Sequence, residues 1–353
     1  MAKLPVALVL YASWAKASTE SVHFQEWYPQ WGLQNILIDH CNESYQGYVN
    51  NNSPGCINEY NSHRNNSECR ARLVTDCLLE NLPESWKADM AAAAVLLGLL
   101  PTILSLIGSN VVETSLLSFR RPLLALLLSF GSPAVYPIRT FDYTNLAELS
   151  RPRIGPGVRI RANSSRIAVL ASQYLLALIA IANLLHVSLE LGIKTVCSFD
   201  TENQYYPLGW ALISLPIHVI SSWATWLRMR SQEDSRGKHG SFGQRLADEF
   251  TLSAQQRPST LEFRDESPMF VVLSWLSSTA IITQILYGTV VFSSILFLGT
   301  AVVGRIIPRY WLSAVLCRAV LMFEIAGIRS TVDVQDEQKV SRIDSAADLS
   351  NAY

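Results

Sequence analysis

Three polar side chains recur at one-turn spacing inside an otherwise apolar stretch: His186, Glu190 and Lys194. Residues four apart share one face of a helix. An imidazole, a carboxylate and an ammonium would therefore line up at the end of an apolar helix. A histidine–carboxylate pair can relay a proton or hold a metal, but a metal site wants three or four ligands, and the ordinary reading is a polar helix end. His218 lies deep in a second apolar stretch, two residues after Pro216. Proline lacks the N–H that would bond the carbonyl of Leu212, and a neutral imidazole can donate to such a group. His186, Glu190 and His218 are thus the catalytic candidates, because ionisable groups within a membrane are functional candidates by default. The ordinary reading of His218 is a histidine satisfied between helices.

Arg309, Arg318 and Glu324 occupy the last apolar stretch. If that stretch spans a bilayer they need partners or water; if it lies flat they face headgroups. Gln173, Asn183 and Gln284 read as interhelical hydrogen-bonding residues, worth about 1 kcal/mol each. The chain shows no GxSxG elbow, HExxH, paired acidic motif, haem-attachment cysteines or dinucleotide fingerprint. The glycine-rich run at 237–243 lacks phosphate-loop spacing and reads as a linker. No cofactor is implied and no metal site is complete.

The elements that must position these residues are membrane helices. Apolar residues make up 49% of the 353-residue chain and charged residues 16%, against about 25% charged in soluble domains. The net charge of −1 and the lack of any nucleic-acid-binding motif argue against a nucleic-acid partner. Residues 1–17 read as a signal peptide: Lys3, a short apolar core over 4–14, and Ala15-Lys16-Ala17 before the cut. That core is too short to span about 30 Å of hydrocarbon.

Residues 18–87 are polar and hold Cys41, Cys56, Cys69 and Cys77, with N-x-Ser sequons at Asn42, Asn51 and Asn65. Clustered sequons and cysteines after a signal sequence predict a glycosylated, disulfide-bearing segment on the lumenal or extracellular side. Four cysteines allow three pairings, and spacing does not choose among them.

The region 88–327 is predicted to be a transmembrane bundle. Spans lie near 88–107, 167–187 and 206–227, with Tyr205, Tyr206 and Trp210 at one interface and Trp223 and Trp226 at the other. Residues 122–136 are too short to cross, are broken by Gly131 and Pro133, and carry arginines on both flanks, so they read as re-entrant. The 228–267 loop, with balanced charges, is expected to be cytoplasmic and mostly unstructured, and the 328–353 tail to be disordered and cytoplasmic. The charge-free run within 269–304 admits two placements: two short spans folded near Tyr287-Gly288-Thr289, or one span followed by a last span over 302–325. The fold expected is all-α, a polytopic transmembrane helical bundle of about five spans plus a re-entrant segment, with a small N-terminal cysteine-containing ectodomain. No internal repeat of the kind seen in many transporters is visible.

Residues 86–143 (WKADMAAAAVLLGLLPTILSLIGSNVV…) and 309–329 (RYWLSAVLCRAVLMFEIAGIR) resemble a group of uncharacterised filamentous-fungal integral membrane proteins. The resemblance implies a fungal, multi-span protein and carries no functional residue with it. The leading expectation is a non-enzymatic interaction, receptor-like or accessory component. It would sit in the plasma membrane or an endomembrane, with the N-terminus outside and the C-terminus cytoplasmic, facing an extracellular or membrane protein partner besides the lipid bilayer. The alternatives are a membrane-embedded enzyme acting on a lipophilic substrate, as in fungal secondary metabolism, and a small-solute transporter.

Overall fold

A computed structural model describes residues 23–29, 32–51, 56, 63–137, 163–231, 249–255, 261–263 and 267–350. The signal-peptide expectation for 1–17 lies outside them. Three short helices come first: α1 (Leu33–Asp39), α2 (Asn42–Val49) and α3 (His63–Asn81). Then follow α4 (Glu84–Ile107), α5 (Val111–Arg120), α6 (Pro122–Gly131), α7 (Asn163–Lys194), α8 (Tyr206–Arg228), α9 (Pro268–Ser293) and α10 (Thr300–Ser350). Five helices are long and apolar enough to cross a membrane: Glu84–Ile107, Ser165–Lys194, Tyr206–Arg228, Pro268–Ser293 and Thr300–Ile328. Their outward faces carry large apolar side chains, among them Val95, Leu106, Leu175, Trp226, Leu286 and Met322. Such continuous apolar surface is a liability in water and the expected coat in lipid.

The described chain divides into two compact units, and each of the five long helices contributes to both. The first gathers residues up to Leu100, His186–Gly209 and Gly288–Ile307. The cysteines pair as Cys41–Cys77 and Cys56–Cys69, which selects one of the three connectivities. Around them Phe24, Leu33, Leu37, Tyr48, Val74 and Leu78 form a core that also takes in Val196 and Phe297. Phe24 meets Tyr48 edge-on at 5.3 Å and Trp27 meets Phe297 edge-on at 5.5 Å. A short antiparallel pair, β1 (Val196–Cys197) with β4 (Ile295–Leu296), ties the segment after α7 to the one before α10. Asp89 completes the N-terminus of α10: its Oδ1 accepts from Thr300 Oγ1 at 2.6 Å and Thr300 N at 3.3 Å, as a capping carboxylate should. Gly192 is required here, since a Cβ would fall 1.8 Å from the carbonyl oxygen of Gln204.

The second unit gathers Pro101–Leu185, Trp210–Tyr287 and Pro308 onward. Its core is built from Leu116, Leu124, Leu128, Ala177, Ala180, Cys317, Leu321 and Ile325, on α5, α6, α7 and α10. Alanines at 125, 177 and 180 allow the close helix approach typical of membrane interfaces. The segment expected at 122–136 belongs to a longer hairpin. After α4 the chain turns at Gly108–Asn110, runs along α5, reverses at Arg121 and returns along α6. Ser109 and Val135 then lie side by side in a parallel bridge, and Tyr136 N donates to Ser109 O at 3.1 Å. The expected segment is thus the second arm of a helical hairpin that closes on itself. Gly108 permits the closure: a Cβ would sit 2.4 Å from Ala134 O.

Of the two placements left open for the 268–304 run, the structure has the second: one helix, α9, with the last span beginning at Thr300. The 26 residues of α9 at about 1.5 Å each suffice for one crossing. Three further details differ from expectation. Trp210 is fully buried, donates to Gln284 O at 3.2 Å and packs edge-on against Tyr310, so it is not an interfacial aromatic. The 228–267 loop contains ordered pieces: β2 (Met229–Ser231) pairs with β3 (Leu261–Phe263), and 249–255 docks on the helices. Finally, α10 continues to Ser350, through the tail expected to be disordered. Low apolar content predicts that a segment will not build a core; it does not stop an established helix from propagating, since only nucleation is costly.

Two outcomes follow for the first unit. The disulfide Cys41–Cys77 closes a 36-residue separation and Cys56–Cys69 one of 13. Loop-closure entropy makes loss of the former costlier by about 1 kcal/mol, which paired serine substitutions and thermal unfolding in detergent would measure. His23 is buried, its Nε2–H donates to Glu202 O at 2.8 Å, and desolvation lowers its pKa from 6.5. Between the folded value and 6.5 the unfolded chain holds a proton that the folded chain lacks, so stability rises with pH. The melting temperature should therefore fall as pH drops below about 6.5, and His23→Gln should flatten that limb.

Candidate functional site

His186 and Glu190 do share one face of α7. His186 Nδ1 stands 3.6 Å from Glu190 Oε2, and Lys194 Nζ donates to Glu190 Oε1 at 3.1 Å. The His186 side chain is 61% exposed, and Lys194 also lies over the Tyr28 ring, 5.3 Å from its centre. Glu190 is thus shared by two basic groups, a surface arrangement that is worth only tenths of a kcal/mol per pair. Among the described residues no cluster of three or more His, Cys, Asp or Glu could hold a metal.

His218 is buried, and its partner is not the Leu212 carbonyl. Nε2 lies 3.2 Å from Ser109 Oγ, in the turn that opens the re-entrant hairpin, with the donor set by the tautomer. Nδ1 has no hydrogen-bond partner among the described residues. One turn further along α8, Ser221 Oγ faces Ser115 Oγ at 3.4 Å, extending a hydroxyl seam along α5.

The densest chemistry sits where sequence reasoning saw only flanking charge. Arg121 is the hinge between α5 and α6, and it is completely buried. A membrane interior demands that such a charge be matched. Arg121 Nη1 lies 2.9 Å from Glu324 Oε1 on α10 and donates to Gln173 Oε1 on α7 at 2.7 Å. Its Nε donates to Glu249 O at 3.0 Å, and the guanidinium lies over the Tyr174 ring, 5.5 Å from its centre. Glu324 is saturated: Oε1 also accepts from Gln173 Nε2, and Oε2 accepts from Ser253 Oγ at 2.6 Å and Ser253 N at 3.2 Å.

Glu249 has a second task. Helix α6 starts with Pro122, and the residue in the capping position, Arg121, offers no acceptor to the first-turn N–H groups. Glu249 supplies it from a distant part of the chain. Its Oε1 accepts from Leu124 N at 2.9 Å and Tyr174 OH at 2.7 Å, and its Oε2 from Leu123 N at 3.2 Å. In each hydrogen bond described for the two side chains, the carboxylate oxygen is the acceptor. One arginine, two carboxylates and a helix N-terminus make a closed network that anchors the 249–255 segment.

The remaining polar residues behave as interhelical connectors. Asn183 Nδ2 donates to Arg309 O at 2.7 Å and Ser313 Oγ at 2.8 Å. Gln284 Nε2 donates to Pro133 O at 3.1 Å. Arg318 finds Glu113 on α5 as its ion partner, which fits a last stretch that spans rather than lies flat. Arg121, Glu249 and Ser253 went unrecognised in the sequence. One local signal existed: an Arg-Pro step opening an apolar helix leaves that helix without a capping acceptor, so a carboxylate must come from elsewhere.

No protein-family model, curated protein or solved structure matches the chain. The chemistry of the site therefore rests on its own geometry.

Replacing Arg121 by Met would leave Glu324 buried without its counter-ion. The expected loss is about 3–5 kcal/mol. Substituting Glu324 by Leu as well should recover part of it, since removing both charges ends the mismatch. A double-mutant cycle by thermal unfolding in detergent measures the coupling.

Proposed function

We propose that this multi-pass membrane protein is a non-enzymatic interaction, receptor-like or accessory component. Its N-terminal disulfide-bonded unit would face the lumen or exterior and α10 would end in the cytoplasm. The carrying observation is the ectodomain core, which two disulfides staple and which draws in Val196 and Phe297 from the segments between spans. A folded, braced head of this kind is suited to meeting a partner, and its exposed Ile38, Val49 and Leu73 offer apolar contact surface. The charges of the second unit support a structural use, because Arg121 and Glu324 are paired and the Glu249 carboxylate caps α6.

A second reading, a membrane-embedded enzyme acting on a lipophilic substrate, is favoured by one feature, the unmatched Nδ1 of His218. His218→Ala separates the two: it should leave delivery and partner binding intact on the first reading and abolish output on the second.

The orientation is tested by mapping glycans. Asn42 is exposed and Asn51 Oδ1 accepts from Arg70 Nη2 at 3.0 Å. Glycans on Asn42 and Asn65, and none on the Asn163 sequon at the start of α7, are the expected result. Replacing Cys41 and Cys77 together by serine should block surface delivery; normal trafficking of that variant would defeat the reading.

A further inference from the structure

The N-terminus of α6 has the construction of an anion-binding site that the chain fills with its own Glu249. We propose that it is a phosphate site held shut in cis, whose exchangeable ligand is the phosphate group of a phospholipid at the membrane surface.

The residues that make the site are fixed by other interactions. Leu123 N and Leu124 N point at one acceptor group, as the free N–H groups of a helix N-terminus do, and the helix dipole favours negative charge there. Tyr174 OH adds a third donor. Arg121 adds a cation held in place by Gln173 and Glu324.

A carboxylate does not use everything this site offers. Arg121 Nη2 is buried and has no hydrogen-bond partner among the described residues, while the neighbouring Nε binds Glu249 through a backbone oxygen. Nε and Nη2 present their hydrogens along one edge of the planar guanidinium, the edge that grips two oxygens of a single anion. A phosphate brings more acceptor oxygens than a carboxylate and can serve that edge together with the helix N–H groups. A singly ionised phosphomonoester, the headgroup of phosphatidic acid, carries one negative charge with no choline to offset it, so replacing the Glu249 carboxylate conserves the charge of the network, which zwitterionic phosphatidylcholine does not.

Position along the spans identifies the source. Gln173 lies eight residues inside the candidate span Ser165–Lys194 and Glu324 four residues inside Thr300–Ile328, so the ligand is a headgroup phosphate drawn in from the nearer membrane surface. Glu249 itself belongs to the segment between α8 and α9, which α6 does not carry with it. Site and occupant can therefore part without unfolding either helix.

The test is replacement of the cis ligand in the full-length protein. Glu249→Ala and wild type are reconstituted in phosphatidylcholine nanodiscs with or without phosphatidic acid, and in detergent with or without inorganic phosphate. Native mass spectrometry counts retained lipid, and thermal unfolding reads stability. The variant should retain several-fold more phosphatidic acid than wild type and regain lost stability in its presence. Recovery with inorganic phosphate alone would assign the same site to a free ion. If Glu249→Ala does not fold, Glu249→Gln, which keeps one acceptor oxygen, takes its place. Lipid retention equal to wild type, with no stabilisation by either phosphate source, overturns the proposal.

Discussion

A guanidinium completely removed from water is the constraint around which the second unit is arranged. An unpaired charge in hydrocarbon costs several kcal/mol even after relaxation, so Arg121 dictates where three separate pieces of chain must be. α7 brings Gln173 and Tyr174, α10 brings Glu324, and the segment after α8 brings Glu249 and Ser253. The hairpin hinge cannot move without breaking contacts to all of them. The apolar packing of Leu117, Leu124, Leu321 and Ile325 fits many geometries; the charged network selects one.

The same logic recurs at smaller scale. Arg318 is matched by Glu113, and Asp89 caps the helix that begins at Thr300. In each case a polar group within or beside a span is answered by one distant in sequence. These contacts define the register of the helices, which dispersion forces among Leu, Val and Ile leave poorly specified in lipid. The buried polar connectors at Gln173, Asn183 and Gln284 do likewise.

The five spans were legible because length and charge-free composition are local properties that the bilayer enforces. The disulfide-bearing N-terminal segment was legible from its clustered cysteines, although its pairing was not, since proximity of Cys41 to Cys77 is a tertiary fact. That 122–136 is too short and too broken for a full span could be read from its length, its Gly and its Pro. The first arm of the hairpin, Val111–Arg120, was missed because it is too short and too polar to register as an apolar run. The pairing within the charge network could not be read, because its two carboxylates lie beyond any local window from Arg121; only the uncapped Arg-Pro step and the need of Glu324 for a partner were local signals. His218 was read as a histidine held between helices, and what could not be read is its partner, which is Ser109 in the hairpin turn rather than the Leu212 carbonyl.

The chain separation within the network bears on how the protein is made. Arg121 precedes Glu324 by 203 positions (324 − 121). At about 5–20 residues per second, a ribosome needs roughly 10–40 s to produce that distance. Over the first 128 of those positions (249 − 121) the hairpin hinge has neither carboxylate, and it lacks the counter-ion Glu324 until the end of the interval. The charge of an early-synthesised element is matched only when the final helix is made, so a mutation or pause that delays the last span prolongs the time for which Arg121 stands without Glu324.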